Sequence, residues 1–499
     1  MSKGLLLGID LGTTVLKVGL FDGTTGALVA TASRRLKVET FSHGGREEDP
    51  SAVLRSLRAV LRSVRLHAGS QWDAVCGVGL AAQGGSSILV ERESGKAFTP
   101  MVLWNDGRTH AYDAQILDMS GMPYWRRRTW REVPPAGLGR LLWMRETHPE
   151  LFHGGTLHVG AGEFAFHHLT GVWRQDPGHA IQIGAYNAQR GALTQGPFDL
   201  VGLPLSFVAP MRAGHETAQL SEGAARRFGL RAGIPVAGPY IDQEAAYLSS
   251  LGKVKNPLQC SLGTAWVGNF VLPQKLRGHS PYQLTLPNPN GAGYLVIQPL
   301  LTGNTSWDWA IKNFVHRDMM AGLRRAEKML EDTPLPPDGL CMIPWLAQAN
   351  PFNTTHHGGG TFSGVGVDTA REDLVRAVAS GMTYELRRSL DAVAGRGVCD
   401  GVVLNGGASA GVHFQRMIAT LFAPLPVYRH VDENAAVARG AVYTLNRRVA
   451  CAPVKRCTPY TAVTQARVRA AYGHYVKTWE QCYGAVRAGG AYVIEECVR

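Results

Sequence analysis

The 499-residue sequence lacks several features that would place it in a special class of protein. No apolar run approaches the roughly 20 residues of a membrane-spanning helix, so we expect no membrane association. The N-terminal stretch has no small-residue cleavage site, and we expect no secretion signal. Its eight cysteines are scattered without a Cys-x-x-Cys pair. This argues against a zinc or redox site and favours reduced thiols in the cytoplasm.

Acidic residues are scarcer than basic ones, at 39 against 51, which leaves a net charge of +12 at pH 7. This balance permits nucleic-acid binding, but the basic residues are diffuse. The dense cluster is WRRRTWR at residues 125–131. We therefore expect no nucleic-acid partner, and we interpret the charge as a solvated surface that also attracts anionic small molecules such as ATP.

Strand and helix patterns alternate along the chain, which favours an α/β architecture. Residues 5–32 predict a three-stranded meander, and residues 50–69 predict an amphipathic helix. A strand–turn–strand pattern recurs at 259–272, and a strand, a glycine turn and a helix follow at 401–422. We expect two α/β halves that join near residue 250.

The first predicted hairpin carries polar residues at its tip, Asp10-Leu11-Gly12-Thr13-Thr14. A glycine turn flanked by threonines presents N–H groups and hydroxyls to an anion. The segment is not a P-loop, because the Gly-x4-Gly-Lys-Ser/Thr pattern is absent. It is not a dinucleotide-binding fingerprint either, because a strand rather than a helix follows the turn. Asp10 would repel phosphate unless a divalent cation stood between them, so the tip points to a magnesium nucleotide. A purely structural hairpin is the alternative.

An ordered set of segments resembles the FGGY family of carbohydrate kinases, within the sugar kinase, Hsp70 and actin superfamily. The segments are GIDLGTT (8–14), EEDP (47–50), LWNDGR (103–108), GRLLWMRETHPELF (139–152), SLGT (261–264) and LNGGAS (404–409). Together they cover roughly residues 4–445. The resemblance implies an α/β protein with two RNase-H-like domains, as in actin-like ATPases, and an active site in the cleft between them.

The resemblance also implies a domain plan and a reaction. We expect an N-terminal domain over 1–250 with the sugar site and the first phosphate hairpin, a nucleotide-binding domain over 251–449, and a helical tail over 450–499 packed on the body. The implied activity is transfer of the γ-phosphate of ATP, with Mg²⁺, to a hydroxyl of a sugar or polyol, foremost a ketopentose such as xylulose. The alternatives are a family member that has lost activity and a non-enzymatic ATP-binding protein of the actin or Hsp70 type. The assembly to test for is a homodimer.

Asp242, in VAGPYIDQEAAYLSSLG (236–252), is the expected catalytic base. The family places its base in a glycine-rich Asp turn just before the second half, and Asp242 lies there. A helix N-cap is the structural alternative. As a base, Asp242 would accept the proton of the sugar hydroxyl while that oxygen attacks the γ-phosphate. Asp10 is expected to hold Mg²⁺ through water.

The remaining expected contacts are turn residues and polar side chains. Those for the phosphates and the nucleotide are Gly12, Thr13, Thr14, Lys17, Gly263, Thr264, Gly303, Gly406 and Gly407. Lys17 has a solvated surface lysine as its alternative, and Gly303 a plain turn. Those for the substrate are Gln83, Gly84, Asn105, Asp106 and Gln243.

Two positions depart from the family pattern. Glycerol kinases carry Arg-Glu after the glutamine and xylulokinases usually Met-His, where this chain has Gly84-Gly85. The glycines argue against glycerol and predict a roomier pocket, or one that recognises substrate through backbone. Ser380 stands where an acidic residue is usual. The apolar pattern of its predicted helix indicates that the helix packs in the core, so we expect nucleotide binding to persist. The His-Gly run at 354–360 is expected to be a loop rather than a metal site.

Overall fold

A computed structural model describes residues 4–274, 283–300, 302–346, 359–395 and 397–483. The chain forms two compact units. The first comprises the described parts of 1–252, 284–295 and 434–452, and the second those of 253–283, 296–433 and 453–499. The segments 284–295 and 434–452 thus belong to the first unit although they lie beyond residue 250. Most of the run at 354–360 lies outside the described residues.

Helices and strands alternate along most of the chain. The helices are α1 (Pro50–Ala68), α2 (His110–Ser120), α3 (Met122–Thr129), α4 (Ala136–Thr147), α5 (Ala161–Thr170), α6 (Pro177–Ile183), α7 (Gly196–Asp199), α8 (Glu222–Phe228), α9 (Asp242–Ser249), α10 (Asn304–Ala310), α11 (Met319–Asp332), α12 (Arg371–Ser389), α13 (Asp391–Gly395), α14 (Val412–Leu421), α15 (Ala436–Ala441), α16 (Arg447–Ala450) and α17 (Ala462–Tyr483). The strands of the two large sheets are β1 (Leu5–Leu11), β2 (Val15–Asp22), β3 (Leu28–Arg35), β4 (Val75–Ala82), β5 (Thr217–Gln219), β6 (Pro235–Ile241), β7 (Pro257–Leu262), β8 (Trp266–Leu272), β9 (Tyr294–Pro299), β10 (Gly401–Asn405), β11 (Val427–His430) and β12 (Val454–Arg456). Shorter strands are Glu39–Thr40, Arg46–Glu48, Ile88–Glu91, Met101–Val102, Thr156–Val159, Tyr186–Asn187, Ala192–Leu193, Leu284–Pro287, Cys341–Ile343 and Thr361–Ser363.

The sheet of the first unit has the order β5–β6–β4–β1–β2–β3. Strands β1, β2 and β3 are antiparallel neighbours, so the predicted meander is present. Strands β1, β4 and β6 run parallel, and helices connect them along the chain. Parallel strands that are buried on both faces read as continuous apolar runs, as Leu5–Leu11 does.

The sheet of the second unit repeats this arrangement. Among the described residues this sheet has seven strands: Leu284–Pro287 lies at one edge next to β9, and the other six pair in the order β9–β8–β7–β10–β11–β12, which matches β3–β2–β1–β4–β6–β5 position by position. Strands β7 and β8 form the second antiparallel hairpin, β7, β10 and β11 are parallel, and β12 is antiparallel to β11. The predicted recurrence of the strand–turn–strand pattern therefore corresponds to two sheets of one topology, and the expected two-domain α/β class is confirmed.

Glycines allow α15 to lie directly against the first sheet and α9. A Cβ at Gly8 would lie 1.9 Å from the Ala438 carbonyl oxygen, and one at Gly440 would lie 1.8 Å from the Ala245 carbonyl oxygen. Such distances are far inside van der Waals contact, so the backbones touch where only glycine fits. The late segment 434–452 thereby fixes the position of α9.

The core of the second unit contains α12 and α17. Ser380 is buried on α12 beside Gly381, where the helix backbone touches that of Met342. On α17, Tyr475 and Trp479 are buried in the same core, and the Tyr475 hydroxyl donates a 2.7 Å hydrogen bond to Glu385. Within the described ranges, no helix is long and apolar enough to cross a membrane.

Candidate active site

Three parallel strands of the first unit end at one edge of the sheet and bring polar residues there. Asp10 pairs in register with Ala81 of β4, and Ile241 of β6 pairs with Ala82. Asp10 at the end of β1, Gln83 after β4 and Asp242 after β6 therefore share this edge. Neighbouring strands lie about 4.8 Å apart, so β1 and β6 are separated by about 10 Å. The carboxyl edge of such a sheet is where α/β proteins bind ligands.

The Asp10 carboxyl is buried, and neighbouring charges of opposite sign act on its pKa. Burial raises its pKa to about 7, the charge of Lys17 opposes that rise, and the charge of Asp242 adds to it. Lys17 is half-buried on β2, directly across the hairpin from Asp10. A register pair of this kind shares one face of the sheet, so Lys17 faces the same side as Asp10.

The hairpin turn between β1 and β2 is tied to the end of β4. The Thr13 hydroxyl donates a 2.9 Å hydrogen bond to the side-chain oxygen of Gln83, and the Trp104 indole N–H donates a 3.0 Å bond to the same hydroxyl. The Gln83 N–H donates to the Leu11 carbonyl at 2.8 Å. Gly12 and Thr14 are half-buried beside this network. The turn is thus held by side chains rather than left as a free loop.

Asp242 begins α9, and its carboxylate faces the same edge. Its Oδ1 accepts the N–H of Gln243 at 2.8 Å. Burial raises the pKa of Asp242 to about 6, while the hydrogen bonds from Gln243 and the positive charge of His179 hold it down. A carboxylate with such a pKa is ionised at neutral pH and retains basicity.

Behind Asp242 lies a buried polar cluster that the sequence patterns do not reveal. The His179 Nδ1 lies 2.8 Å from Asp176 Oδ1. Burial works against the charged ring, but the carboxyls of Glu163 and Asp176 raise the pKa of His179 to about 9. The Glu244 carboxyl, whose pKa is raised well above its usual value by burial and by Asp176, shares a hydrogen bond with Asp176 and accepts the Ile241 N–H at 3.1 Å. The cluster places a buried imidazolium within electrostatic reach of Asp242.

The space above Gly84 and Gly85 is filled rather than open. A Cβ at Gly84 would lie 2.1 Å from Nε2 of Gln182, and one at Gly85 would lie 2.5 Å from its Oε1. Gly85 also has a φ of +75°, which side chains rarely adopt. The expectation of a roomier pocket is therefore wrong, because the Gln182 side chain from α6 occupies the volume that side chains at 84 and 85 would take.

The segment after the Met101–Val102 strand carries two expected substrate residues, Asn105 and Asp106, which differ in whether their side chains already have hydrogen-bond partners. The Asn105 side-chain oxygen is buried, and no described residue hydrogen-bonds it. The Asp106 carboxylate is already engaged, since it accepts the Arg46 N–H at 2.7 Å and pairs with the Arg108 guanidinium. Of these two expected substrate residues, Asn105 is therefore better placed to take a ligand.

Arg140 joins the two segments that flank Gln83. Its guanidinium donates to the Gly85 carbonyl and, at 2.8 Å, to the Trp104 carbonyl. Burial lowers its pKa to about 10, which leaves it charged. By bonding both carbonyls, this buried cation holds the loop at Gly85 and the loop at Trp104 in fixed positions.

In the second unit, the expected nucleotide residues meet around the second hairpin turn. The Asn304 N–H donates to the Gly263 carbonyl at 3.1 Å, directly after Gly303. Gly406, with a φ of +86°, lies so close that its Cβ would sit 2.7 Å from the Leu262 carbonyl carbon. Gly407 is next to Asn304, and Thr264 is exposed at the tip. Three glycine-containing turns of the second unit thus lie next to one another.

Sequence reasoning missed Gln182, His179 and the carbonyl-binding role of Arg140. The available signal was the sequence DPGHAIQI at 176–183, where Asp176 precedes Pro177 as a helix cap and a His follows three residues later. In the part of the chain that is described, no three His, Cys, Asp or Glu side chains cluster to form a metal site.

Comparison with known proteins gives a consistent result. Residues 5–249 match the N-terminal domain of the FGGY family of carbohydrate kinases, and residues 258–448 match its C-terminal domain. The chain is 21% identical over 395 residues to a xylulose kinase from Staphylococcus epidermidis, covering 78% of this chain and 77% of that protein. It is 24% identical over 409 residues to a glycerol kinase from Acaryochloris marina, covering 79% of each. The structure of a xylulose kinase from Rhodospirillum rubrum has the same fold, with a TM-score of 0.83, 19% identity and coverage of 97% and 99%.

Proposed function

The chain belongs to the FGGY family of carbohydrate kinases, and on that premise we propose that it transfers the γ-phosphate of ATP to a hydroxyl of a ketopentose such as xylulose. The reaction class, phosphoryl transfer from ATP to an alcohol group of a carbohydrate, follows from family membership. The ketopentose is the finer part of the proposal. It is supported by the similarity to xylulose kinases and by glycines where glycerol kinases carry Arg-Glu.

The observation that supports the mechanism most is the position of Asp242. Its half-buried carboxylate, at the carboxyl edge of the sheet beside Gln83, suits a group that orients an acceptor hydroxyl and takes its proton. Phosphoryl transfer has a loose transition state, so the base need only position the oxygen for in-line attack. In this proposal Asn105 and Gln243 bind other hydroxyls of the sugar, while Gln83, which is buried and accepts the Thr13 hydroxyl, holds the first hairpin turn in position.

Asp10 is the residue that we assign to Mg²⁺. Magnesium prefers hard oxygen ligands and is held in kinases by one or two carboxylates together with substrate phosphates. A buried carboxylate with a raised pKa, with Lys17 across the hairpin, suits that role, because a cation would restore its ionised form. When bound, the ion supplies neutralisation of the phosphate charge.

For the nucleotide, we assign the second-unit surface around Gly263, Thr264, Gly303, Gly406 and Gly407. Gly263 and Gly407, where a Cβ would lie 3.8 and 3.7 Å from the nearest atom beyond its chain neighbours, leave room for a nucleotide to approach the backbone, while Gly303 and Gly406 pack against the protein's own backbone and hold the turns together. Thr13, Thr14 and Lys17 of the first hairpin would contact the transferring phosphate. We place the enzyme in the cytoplasm.

The test is ADP release from Mg-ATP over a panel of ketoses, aldoses, polyols and aldonates. We expect one ketopentose to raise ADP release well above the rate without sugar. Asp242→Asn should reduce the sugar-dependent rate at least about 100-fold while nucleotide binding persists. Asp73→Asn, the same change at an exposed position of the first unit, is the matched control. Near-normal turnover in Asp242→Asn would refute the proposed base, and a flat panel with intact ATP binding would favour a degenerate kinase.

A further inference from the structure

The side chain of Gln182 takes the place of two missing side chains at the substrate edge, by which we mean the carboxyl edge of the first sheet where Gln83 and Asp242 lie. Its amide nitrogen lies 2.1 Å from the Cβ position of Gly84, and its amide oxygen lies 2.5 Å from that of Gly85. Neither glycine could be exchanged for a larger residue unless Gln182 moved. The glycine pair and the glutamine therefore form one complementary unit, although about a hundred residues separate them in the chain.

The helix that carries Gln182 also touches the segment that presents Asp242. A Cβ at Gly178, one turn before Gln182 on α6, would lie 2.8 Å from Glu244 Oε2 and 2.9 Å from Ile241 Cγ1. Residues four apart on a helix lie on the same side. The Gln182 amide is therefore placed between the end of β4 and the end of β6, the strand that Asp242 follows.

Among the described residues, Gln182 uses little of its side-chain hydrogen-bonding capacity. Its Nε2 makes one long hydrogen bond, 3.4 Å to the Gly178 carbonyl, and the side chain is half-buried. A primary amide offers two donors and two acceptor lone pairs. A hydroxyl group is both a donor and an acceptor, so an amide at this position matches neighbouring hydroxyls of a sugar.

The charge around Gln182 also favours a neutral ligand. The guanidinium of Arg140, which contacts the Gly85 carbonyl directly beneath Gln182, is committed to two backbone carbonyls. Arg108 is committed to Asp106 and Glu47. A substrate carboxylate at this edge would thus find an uncharged amide and the carboxylate of Asp242 instead of an available guanidinium.

We propose that Gln182 is a specificity-determining residue that hydrogen-bonds hydroxyls of a neutral sugar or polyol acceptor beside the hydroxyl facing Asp242. This inference rests on the proposed function and adds a residue that stands in for side chains at positions 84 and 85. It adds α6 to the elements that recognise the acceptor.

The experiment compares Gln182→Ala with Gln189→Ala, an exposed glutamine of the same unit, using the acceptor that the panel identifies. We expect the KM for that acceptor to rise about tenfold or more in Gln182→Ala, as for the loss of one or two hydrogen bonds. We expect kcat to stay within about threefold and the KM for ATP to be unchanged. Discrimination between ketopentoses that are epimeric at one hydroxyl should narrow.

A second variant, Gln182→Glu, keeps the size of the side chain and removes its donors, so it should also raise the acceptor KM. Unchanged acceptor KM and epimer discrimination in both variants would overturn the role of Gln182 while leaving the kinase proposal intact. If no panel member stimulates the wild-type protein, the proposed function fails and this inference fails with it. A loss of kcat and of ATP affinity together would also overturn it, because that pattern indicates a structural role.

Discussion

Replacing His179 by glutamine should shift the pH dependence of phosphorylation. His179 is a buried imidazolium, held by Asp176 at 2.8 Å and by the charge of Glu163, and its positive charge lowers the pKa of Asp242. Glutamine keeps a hydrogen-bonding side chain at this position and removes the charge. The Asp242 carboxylate then faces burial and the charge of Asp10 without the opposing charge of His179.

The size of the shift follows from the electrostatics of buried pairs. An opposite charge nearby changes a carboxyl pKa by about 1 to 3 units. Removing about 1 unit of this lowering raises the pKa of Asp242 from about 6 to about 7. A base must be ionised to accept a proton, so the rate falls on the acidic side. The ionised fraction at pH 6 drops from about a half to about a tenth, which predicts a roughly fivefold loss of kcat/KM there and almost none at pH 9.

The assay is kcat/KM for the acceptor from pH 5 to pH 9, with ATP and Mg²⁺ saturating. His67→Gln, an exposed histidine on α1, is the matched control and should keep the wild-type profile. Ionisation of ATP itself is common to all variants and cancels in the comparison. An acidic limb that stays at the wild-type position in a folded His179→Gln protein would refute the reasoning, as would a limb that moves to lower pH.

Two further predictions concern the phosphate-binding residues. Asp10→Asn should raise the Mg²⁺ concentration needed for half-maximal activity about tenfold or more, because a neutral amide is a weaker ligand for a hard cation; an unchanged Mg²⁺ titration would return Asp10 to a structural role. Gly406→Val should raise the KM for ATP and lower the melting temperature, since Gly406 has a φ of +86° and its Cβ would lie 2.7 Å from the Leu262 carbonyl carbon. Wild-type ATP affinity in that variant would show that the turn tolerates a side chain.

The order of local patterns was enough to predict the fold class and the family. The apolar run of β1, the glycine turn after it and the return strand are encoded by adjacent residues, and the same holds for the hairpin around Gly263. Asp242 could be singled out because it lies, like the catalytic base of the family that the sequence resembles, just before the second half, and it stands where a strand is followed directly by a helix. Such features depend on hydrogen bonds and steric limits between near neighbours, which a single sequence displays.

The side-chain arrangement at the substrate edge could not be predicted from the sequence. Gly84 and Gly85 alone suggested empty space, and only the folded chain places Gln182 over them. Asp106 read as a ligand, yet its carboxylate is occupied by Arg108 and by the Arg46 N–H. The first outcome depends on a residue about a hundred positions away, and the second on Arg46 as well as on Arg108, which is two residues from Asp106. Nothing in the local pattern encodes which distant side chain fills a given volume.

The sequence by itself determined two α/β halves, two polar-tipped hairpins and a candidate base, because periodicity and turn chemistry are local properties. Only the tertiary structure decided the charge of His179 and the return of residues 434–452 to support α9. The physical reason is that pKa values and close packing depend on which groups share a buried volume. Burial alone would discharge His179, and the carboxyl of Asp176, which caps the same helix, together with that of Glu163 on α5 keeps it positive.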